Sequence, residues 1–319
     1  MPGIGLEIGL GMGNKLPWST YWSRLISATV ETAAPSNIVL TFASARTSLG
    51  ASDFSLSVYG SSFTINSASW SGNVLTLVLA NPIFVFFGNP VITFLKTGQT
   101  ATVTNNVADD GNTAAWYQHR DLTTITKDGS NKVSVWADKL GSGRNLLQAT
   151  GANQPIWSLT NGVLFDGVND YMKTLAFTYI QPEMIYFVGR QVTYQTGDQF
   201  IDGNASYSGL IEQSGVSPGI RSYAGVFLPV SNDLAINTFG IIRCLFNGLN
   251  STFQVNNNTV IVSGGGANTM GGFTLASVGA GTGQWANIEV KEIILRRTVD
   301  NAAIQTSIYN YLKAINAVP

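Results

Sequence analysis

The sequence predicts an all-β fold: an N-terminal arm, then two β-sandwiches in tandem, the second ending in a short C-terminal helix. Three observations predict it. Short alternations of apolar and polar residues recur along the chain with turn residues between them, as half-buried strands require. The 319 residues exceed the roughly 100–200 of one typical domain, which suggests two. A helical period of apolar residues occurs only near the C-terminus.

Composition narrows the function. Apolar residues make up 45%, enough for ordinary cores, but charged residues only 11%, against roughly 25% in an average soluble domain. The surface must be built from Asn, Ser, Thr, Gln and Gly, a profile common in exported and virion proteins. A net charge of −1 gives no basic footprint for nucleic acid and little resistance to self-association. The one cysteine, Cys244, excludes an intrachain disulfide and sits in an apolar strand-like run, so it reads as a small buried hydrophobe. The opening residues lack the basic start and unbroken apolar stretch of a signal peptide. The longest apolar run elsewhere, residues 83–87, is too short to span a bilayer. The expectation is a chain made in a host cytoplasm that leaves the cell within a virus particle, without membrane insertion.

Residues 1–24 form the arm, cut by glycines and ending in Pro17-Trp18-Ser19-Thr20-Tyr21-Trp22. Trp18, Tyr21 and Trp22 are costly to leave in water. They pack either on the arm's own domain or on a partner subunit, where they would anchor the chain to other virion proteins.

Residues 25–104 read as about seven short strands, including Ile38-Val39-Leu40-Thr41-Phe42, Phe54-Ser55-Leu56-Ser57-Val58 and Val74-Leu75-Thr76-Leu77-Val78-Leu79. Turns such as Tyr59-Gly60-Ser61-Ser62 and Ser71-Gly72-Asn73 separate them. The order Ala28-Thr29-Val30-Glu31, Pro35, Val39-Leu40-Thr41-Phe42, Asp53-Phe54 and Gly72-Asn73-Val74-Leu75-Thr76-Leu77 resembles a bacterial immunoglobulin-like module. That resemblance implies a spacer or assembly surface. Residues 105–114 are a polar linker rich in Asn, Asp and Gly.

Residues 115–319 begin with Ala115-Trp116-Tyr117 and the alternating Val133-Ser134-Val135-Trp136. Buried-looking strands follow at 184–189 and 239–246, and further strands at 252–256, 260–262, 273–278 and 286–295. The last places Ile288, Val290 and Glu292 on one face, with a bulge or face switch near Lys291. From Asp300 as N-cap, Ala303, Ile304, Ile308, Tyr311, Leu312 and Ile315 recur at helical spacing. The succession Ala115-Trp116-Tyr117, Asp121-Leu122, Val133-Ser134-Val135-Trp136-Ala137-Asp138-Lys139, Gly143-Arg144-Asn145-Leu146, Gln154-Pro155 and Gly162-Val163-Leu164-Phe165-Asp166-Gly167-Val168-Asn169-Asp170-Tyr171 resembles the opening of the concanavalin A-like lectin/glucanase (laminin G-like) superfamily. The strand at 288–295 followed by a short helix is similar to that family's ending. The resemblance covers residues 115–319 and implies a jelly-roll sandwich. Modules of this kind recur in phage structural proteins.

Few residues suggest chemistry. Asp166-Gly167-Val168-Asn169-Asp170 invites a calcium reading, but no closing glutamate follows, and a tight turn is expected instead. His119 is the only histidine and has no nucleophile beside it, so it reads as a surface or domain-interface residue. Glu289 and Glu292 are three apart, pointing to opposite faces of a regular strand. Asp198 and Asp202 are bracketed by glycines as loop residues. No carboxylate pair for glycoside hydrolysis emerges, so the sequence reads as no enzyme, with no cofactor and no metal. Residues 264–266 and 279–283 are glycine-rich hairpin loops that precede no helix and so form no phosphate cradle.

Sugar recognition needs an aromatic platform edged by amides or acids. Trp157, Tyr171, Tyr194, Tyr207, Tyr223 and Trp285 supply the rings, and loops 190–235 have the Tyr, Ser, Gly and Asn content of adaptable binding surfaces. The expected carbohydrate-binding set is Tyr194, Asp202, Asn204, Tyr207 and Tyr223. The sequence thus points to a bacteriophage structural protein, a head decoration, fibre or tail-region subunit. It would be homo-oligomeric and present a lectin-like domain to a host glycan. A bacterial adhesin is the alternative, and a polysaccharide-degrading enzyme the third reading.

Overall fold

The computed structural model describes residues 25–44, 48–84, 88–105 and 110–318. The arm with Trp18, Tyr21 and Trp22, residues 85–87 of the longest apolar run and residues 106–109 of the linker lie outside the described residues. The chain divides into two compact units, Met1–Val107 and Ala108–Pro319. Both are β-sandwiches, and no described helix is long and apolar enough to cross a membrane.

The first unit holds β1 (Leu25–Val30), β2 (Asn37–Phe42), β3 (Phe54–Val58), β4 (Ser61–Phe63), β5 (Ile65–Ser71), β6 (Val74–Leu79), β7 (Val91–Phe94) and β8 (Gln99–Thr102). They form two antiparallel sheets, ordered β1-β2-β6-β5 and β4-β3-β7-β8. Alternation does what the sequence suggested: Ile38, Leu40, Phe42, Leu75 and Leu77 of one sheet are buried, as are Leu56, Ile92 and Phe94 of the other. Strand β5 has no counterpart in the sequence reading. It is an edge strand with much of its length exposed, so it carries little apolar pattern. Trp70 ties it in, donating its indole N–H to the Leu49 carbonyl at 3.0 Å.

The second unit holds β9 (Thr113–Gln118), β10 (Ile125–Lys127), β11 (Val133–Trp136), β12 (Leu146–Leu147), β13 (Ile156–Ser158), β14 (Gly162–Asp166), β15 (Met172–Lys173) and β16 (Glu183–Gln191). It continues with β17 (Gln199–Asp202), β18 (Leu210–Gln213), β19 (Ile220–Tyr223), β20 (Gly240–Phe246), β21 (Ser251–Val255), β22 (Ile261–Ser263), β23 (Thr274–Leu275), β24 (Asn287–Arg296) and helix α1 (Ala302–Asn316). One sheet runs β10-β11-β12-β15-β23-β17-β18-β19. The other runs β13-β14-β24-β16-β20-β21-β22, with β9 also paired to β24. Buried Trp136, Phe165, Met172, Phe187, Ile201, Phe246, Leu275 and Ile293 meet between them. Each fully buried Leu- or Phe-sized side chain stabilises by about 1.5–3 kcal/mol.

Strands β17, β18 and β19 fall within 190–235, which the sequence read as loops. They are four residues each, and β17 and β18 are buried throughout, so no alternation marks them.

Strand β24 explains three further departures. It pairs with β14 through Val290 and with β9 from Glu292 onward, so its neighbour changes at Lys291. Opposite, Val188 pairs with Glu292 and Gly189 with Val290, leaving Lys291 as a bulge. The bulge was expected, but its consequence was not. Val290 and Ile293 face the core, whereas Glu292 and Glu289 sit opposite Val188 and Arg190 on the other face. The two glutamates therefore share a face, against the sequence expectation, and each is committed there. Glu289 pairs with Arg190, while Glu292 accepts from the Trp116 indole at 2.7 Å, the Tyr311 hydroxyl at 2.8 Å and the Asn316 amide at 2.7 Å. These bonds dock α1 on the sheet.

His119 is fully buried rather than at a surface. Its backbone N–H and its Nδ1 both lie against the carbonyl of the bulged Lys291, at 3.0 and 2.8 Å. The N-cap of α1 is Asn301, one residue later than expected, its side chain accepting from Ile304 N at 3.0 Å. Asp300 is drawn away because it pairs with Arg296. Cys244 is buried as expected, and burial pushes its thiol up to about 12.

Candidate functional site

Directly paired residues of neighbouring strands share a face. Met172, Leu275, Ile201 and Ile211 succeed one another on the core side of the β10–β19 sheet. Val135, Leu147, Lys173, Thr274 and Asp202 succeed one another on the side turned away from it. On that outer face lies a cleft of about 410 Å³, lined by residues 147–150, Tyr171, 173–176 and Asn204.

Each wall has a local cause. Gln148 is held by donating to the Tyr171 carbonyl at 3.0 Å and accepting the Thr150 amide at 3.0 Å. The Tyr171 ring is set by Gly281, whose φ is +72°; a Cβ there would lie 2.5 Å from the ring. Thr174 is tied to Phe273 in both directions, its hydroxyl accepting the Phe273 amide at 2.9 Å. Asn204 hangs from the Met270 carbonyl through its amide at 2.7 Å. Lys173 donates to the carbonyls of Asn204 at 2.7 Å and Gly279 at 2.5 Å. Partial burial pulls the Lys173 pKa down, and the charge of Asp202 pulls it back up.

Asp202 has a different part from the one expected. It is fully buried, and its two oxygens accept the amides of Gly203, Tyr207, Ser208, Gly209 and Gly279. Burial raises its pKa against the pull of those amides. It shapes the 203–209 loop and offers no oxygen to a sugar. Tyr207 is exposed, and its hydroxyl donates to Gln284 Oε1 at 3.0 Å.

The other two expected tyrosines belong elsewhere. Tyr194 donates its hydroxyl to the Gly215 carbonyl at 2.9 Å. Tyr223, on the edge strand β19, packs on Phe227 with ring centroids 4.6 Å apart. Among the described residues, no hydrogen bond or ring contact joins either to Asn204 or Tyr207. The structure thus gathers Asp202, Asn204 and Tyr207, and adds Tyr171 and Lys173, of which only Tyr171 was among the sequence's aromatic candidates. Lys173 reaches the site because Leu147 pairs with it, through strands of two residues each that carry no pattern of their own.

The acidic turn behaves as a turn. Asp166 accepts the amides of Val168 at 2.8 Å and Asn169 at 3.3 Å, and Asp170 accepts that of Asp166 at 3.2 Å. Among the described residues no cluster of three or more His, Cys, Asp or Glu could hold a metal. Two carboxyls are pushed up to about 6: Asp170 by burial and the Asp166 charge, and Asp198 by burial. Neither lines the cleft.

No protein-family model and no curated protein sequence matches this chain. Similar solved structures include the Trypanosoma rangeli sialidase in complex with sialic acid, at 10% identity and a TM-score of 0.45 over 82% of this chain and 44% of that one. A GH54 α-L-arabinofuranosidase is similar at 14% identity and a TM-score of 0.46, over 68% of this chain and 57% of its own. The binding domain of Paraclostridial Mosquitocidal Protein 1 is similar at 10% identity and a TM-score of 0.41, over 63% and 52%. The chain spans less than half of the sialidase it resembles. Two of these structures are of glycosidases, a sialidase and an arabinofuranosidase, which stands against the sequence expectation of no enzyme.

Proposed function

We propose that the second unit recognises a saccharide in the cleft on the outer face of its β10–β19 sheet, and that the chain does so as a structural subunit of a bacteriophage particle. One observation carries the saccharide reading. The cleft sets a tyrosine ring, Tyr171, among hydrogen-bonding groups on Gln148, Thr150, Lys173 and Asn204. A sugar has flat C–H faces edged by hydroxyls; a ring covers the first and polar side chains bond the second. The floor is fixed by main-chain bonds to Met270, Phe273 and Gly279, so little ordering accompanies binding.

The virion reading rests on the sequence: 11% charged residues, a glycine-punctuated arm with Trp18, Tyr21 and Trp22, and the resemblance to modules found in phage structural proteins. In this reading the arm meets other virion proteins, the particle is the protein's location and the subunits are symmetric copies.

The saccharide test is a glycan array on the full chain, followed by titration of the best ligand and a reducing-end assay for hydrolysis. Tyr171→Ala and Asn204→Ala should each weaken binding about tenfold or more with folding intact. Binding unchanged in both variants would remove the cleft from the reading. For the virion, deletion of residues 1–24 should prevent incorporation into particles; normal incorporation would overturn the anchoring.

A further inference from the structure

The cleft carries a formal positive charge. Among the described residues its lining contains one cation, Lys173, and no carboxylate. Among the described residues no carboxylate stands within 4 Å of the Lys173 ammonium. Several other cations of this unit do have one: Arg190 with Glu289, Arg221 with Glu212, Lys139 with Asp121, and Arg296 with Asp110 and Asp300. Lys132, Arg144, Arg243 and Lys291 also have no acid within 4 Å among the described residues; Lys132 donates to the Gly151 carbonyl, and the other three lie against the rings of Phe177, Tyr309 and Phe239. Of the cations without an acid, Lys173 is the one that lines the cleft.

An ammonium has three donors. Lys173 spends two on the Asn204 and Gly279 carbonyls, and the third has no partner among the described residues. Asp202 lies near enough to favour the charged form, yet its oxygens are taken by five main-chain amides. Partial burial works against the charge, so an anion arriving beside Lys173 would relieve a cost already present in the free protein.

We infer that the ligand of this cleft is an acidic saccharide, one carrying a carboxylate or a sulfate group, with Lys173 as the residue that selects the charge. The inference rests on the saccharide reading of the cleft and adds the ligand's class to it. Tyr171 takes the ring face, Asn204 and Thr150 take hydroxyls, and Lys173 takes the anionic oxygen. A lysine acts here as a point charge, so it accepts a planar carboxylate or a tetrahedral sulfate without the fork geometry of an arginine. The absence of any acid in the lining means that the anion meets no like charge there.

The experiment compares matched pairs on the full chain by calorimetric titration. One pair is an oligogalacturonide and its methyl ester, which share the ring and differ in charge. The other is a carrageenan oligosaccharide, which carries sulfate and no carboxylate, and its uncharged desulfated form. The acidic member of at least one pair should bind about tenfold or more tighter than its control, with the gap shrinking as salt rises. Lys173→Gln should weaken the acidic member more than its control and so close the gap, and Lys173→Arg should keep most of it. Equal binding of acid and control by the unmodified chain would overturn the inference and leave the saccharide reading standing. So would a gap that survives both salt and Lys173→Gln. Failure of every saccharide to bind, acidic or neutral, would overturn the saccharide reading and the inference with it.

Discussion

The carboxylate of Asp202 accepts the amide of Gly279, 77 residues further along the chain, at 2.9 Å. Its Oδ2 also takes Tyr207, while Oδ1 takes Gly203, Ser208 and Gly209. One side chain thus closes its own loop and joins it to the segment beside Lys173 and Tyr171. Asp202→Ala leaves five buried or half-buried amides to find new partners and should destabilise the second unit by about 3 kcal/mol or more. Asp202→Asn is the sharper variant. It keeps one acceptor and turns an NH2 toward Tyr207 and Gly279, so saccharide binding should weaken more than stability does. Urea unfolding and ligand titration on both variants check this; wild-type stability in Asp202→Ala would contradict it.

Glu183 supplies a pH dependence. It is fully buried, one oxygen accepts the Met270 amide at 2.7 Å, and the other has no partner among the described residues. Burial pushes its pKa up to about 8 from an ordinary value of 4.5, the Met270 amide pulling the other way. Between those values the unfolded chain ionises while the folded one keeps its proton. The folded state then binds more protons, and stability falls as pH rises from about 4.5 to 8. At about 1.4 kcal/mol per pKa unit the loss is a few kcal/mol. Glu183→Gln should match the wild type near pH 5 and exceed it at pH 8. Parallel melting curves for the two across that range would rule Glu183 out as the source.

What the sequence made legible follows from burial geometry. Strands with one face in the core, such as β2, β3 and β6, show alternation and were visible. Edge strand β5 is largely exposed, and β17 and β18 are buried on both faces, so neither kind has a period to read. At the site, Asn204 and Tyr207 were read as loop residues, and both lie between β17 and β18. Lys173 was not, because its place depends on pairing with Leu147, 26 positions earlier, and with Thr274, 101 positions later. Asp202 was read as a loop residue but ends strand β17, and its five amide partners were not legible, because only the folded chain brings them to one carboxylate.

Arg296 is fully buried and binds Asp300 through Nε at 2.8 Å and Asp110 through Nη2 at 2.7 Å. Asp300 also accepts the Tyr186 hydroxyl at 2.8 Å. The group joins the start of the unit to the turn before α1. Arg296→Met would leave Asp300 buried without its cation, at a cost of about 3–5 kcal/mol. Replacing both, Arg296→Met with Asp300→Leu, should recover a large part of that loss, because the penalty belongs to the unpaired charge. Asp110→Ala should cost less, since Asp110 is partly exposed and Asp300 remains to neutralise the guanidinium. A double variant as unstable as the sum of its singles would refute this.

His119 secures the point where β24 exchanges one neighbour for another. Its backbone N–H and Nδ1 both approach the carbonyl of the bulged Lys291, and Nε2 lies 3.2 Å from the Leu159 carbonyl. A neutral imidazole has one N–H, and the shorter contact assigns it to Nδ1. Burial holds the pKa below the ordinary 6.5, and the charges of Arg120 and Lys291 hold it down further, against the pull of the two carbonyls. The unfolded chain therefore takes up a proton before the folded one, and the stability tied to a neutral His119 is lost as pH falls below about 6.5. His119→Phe keeps the ring's bulk and removes both nitrogens. It should cost about 1–3 kcal/mol at pH 7, the range for leaving a buried polar group without its partner. Because phenylalanine does not titrate, the gap between variant and wild type should narrow from pH 7 to pH 5. Thermal melts at both values read this directly. A gap that stays constant would mean that His119 acts there only through its shape.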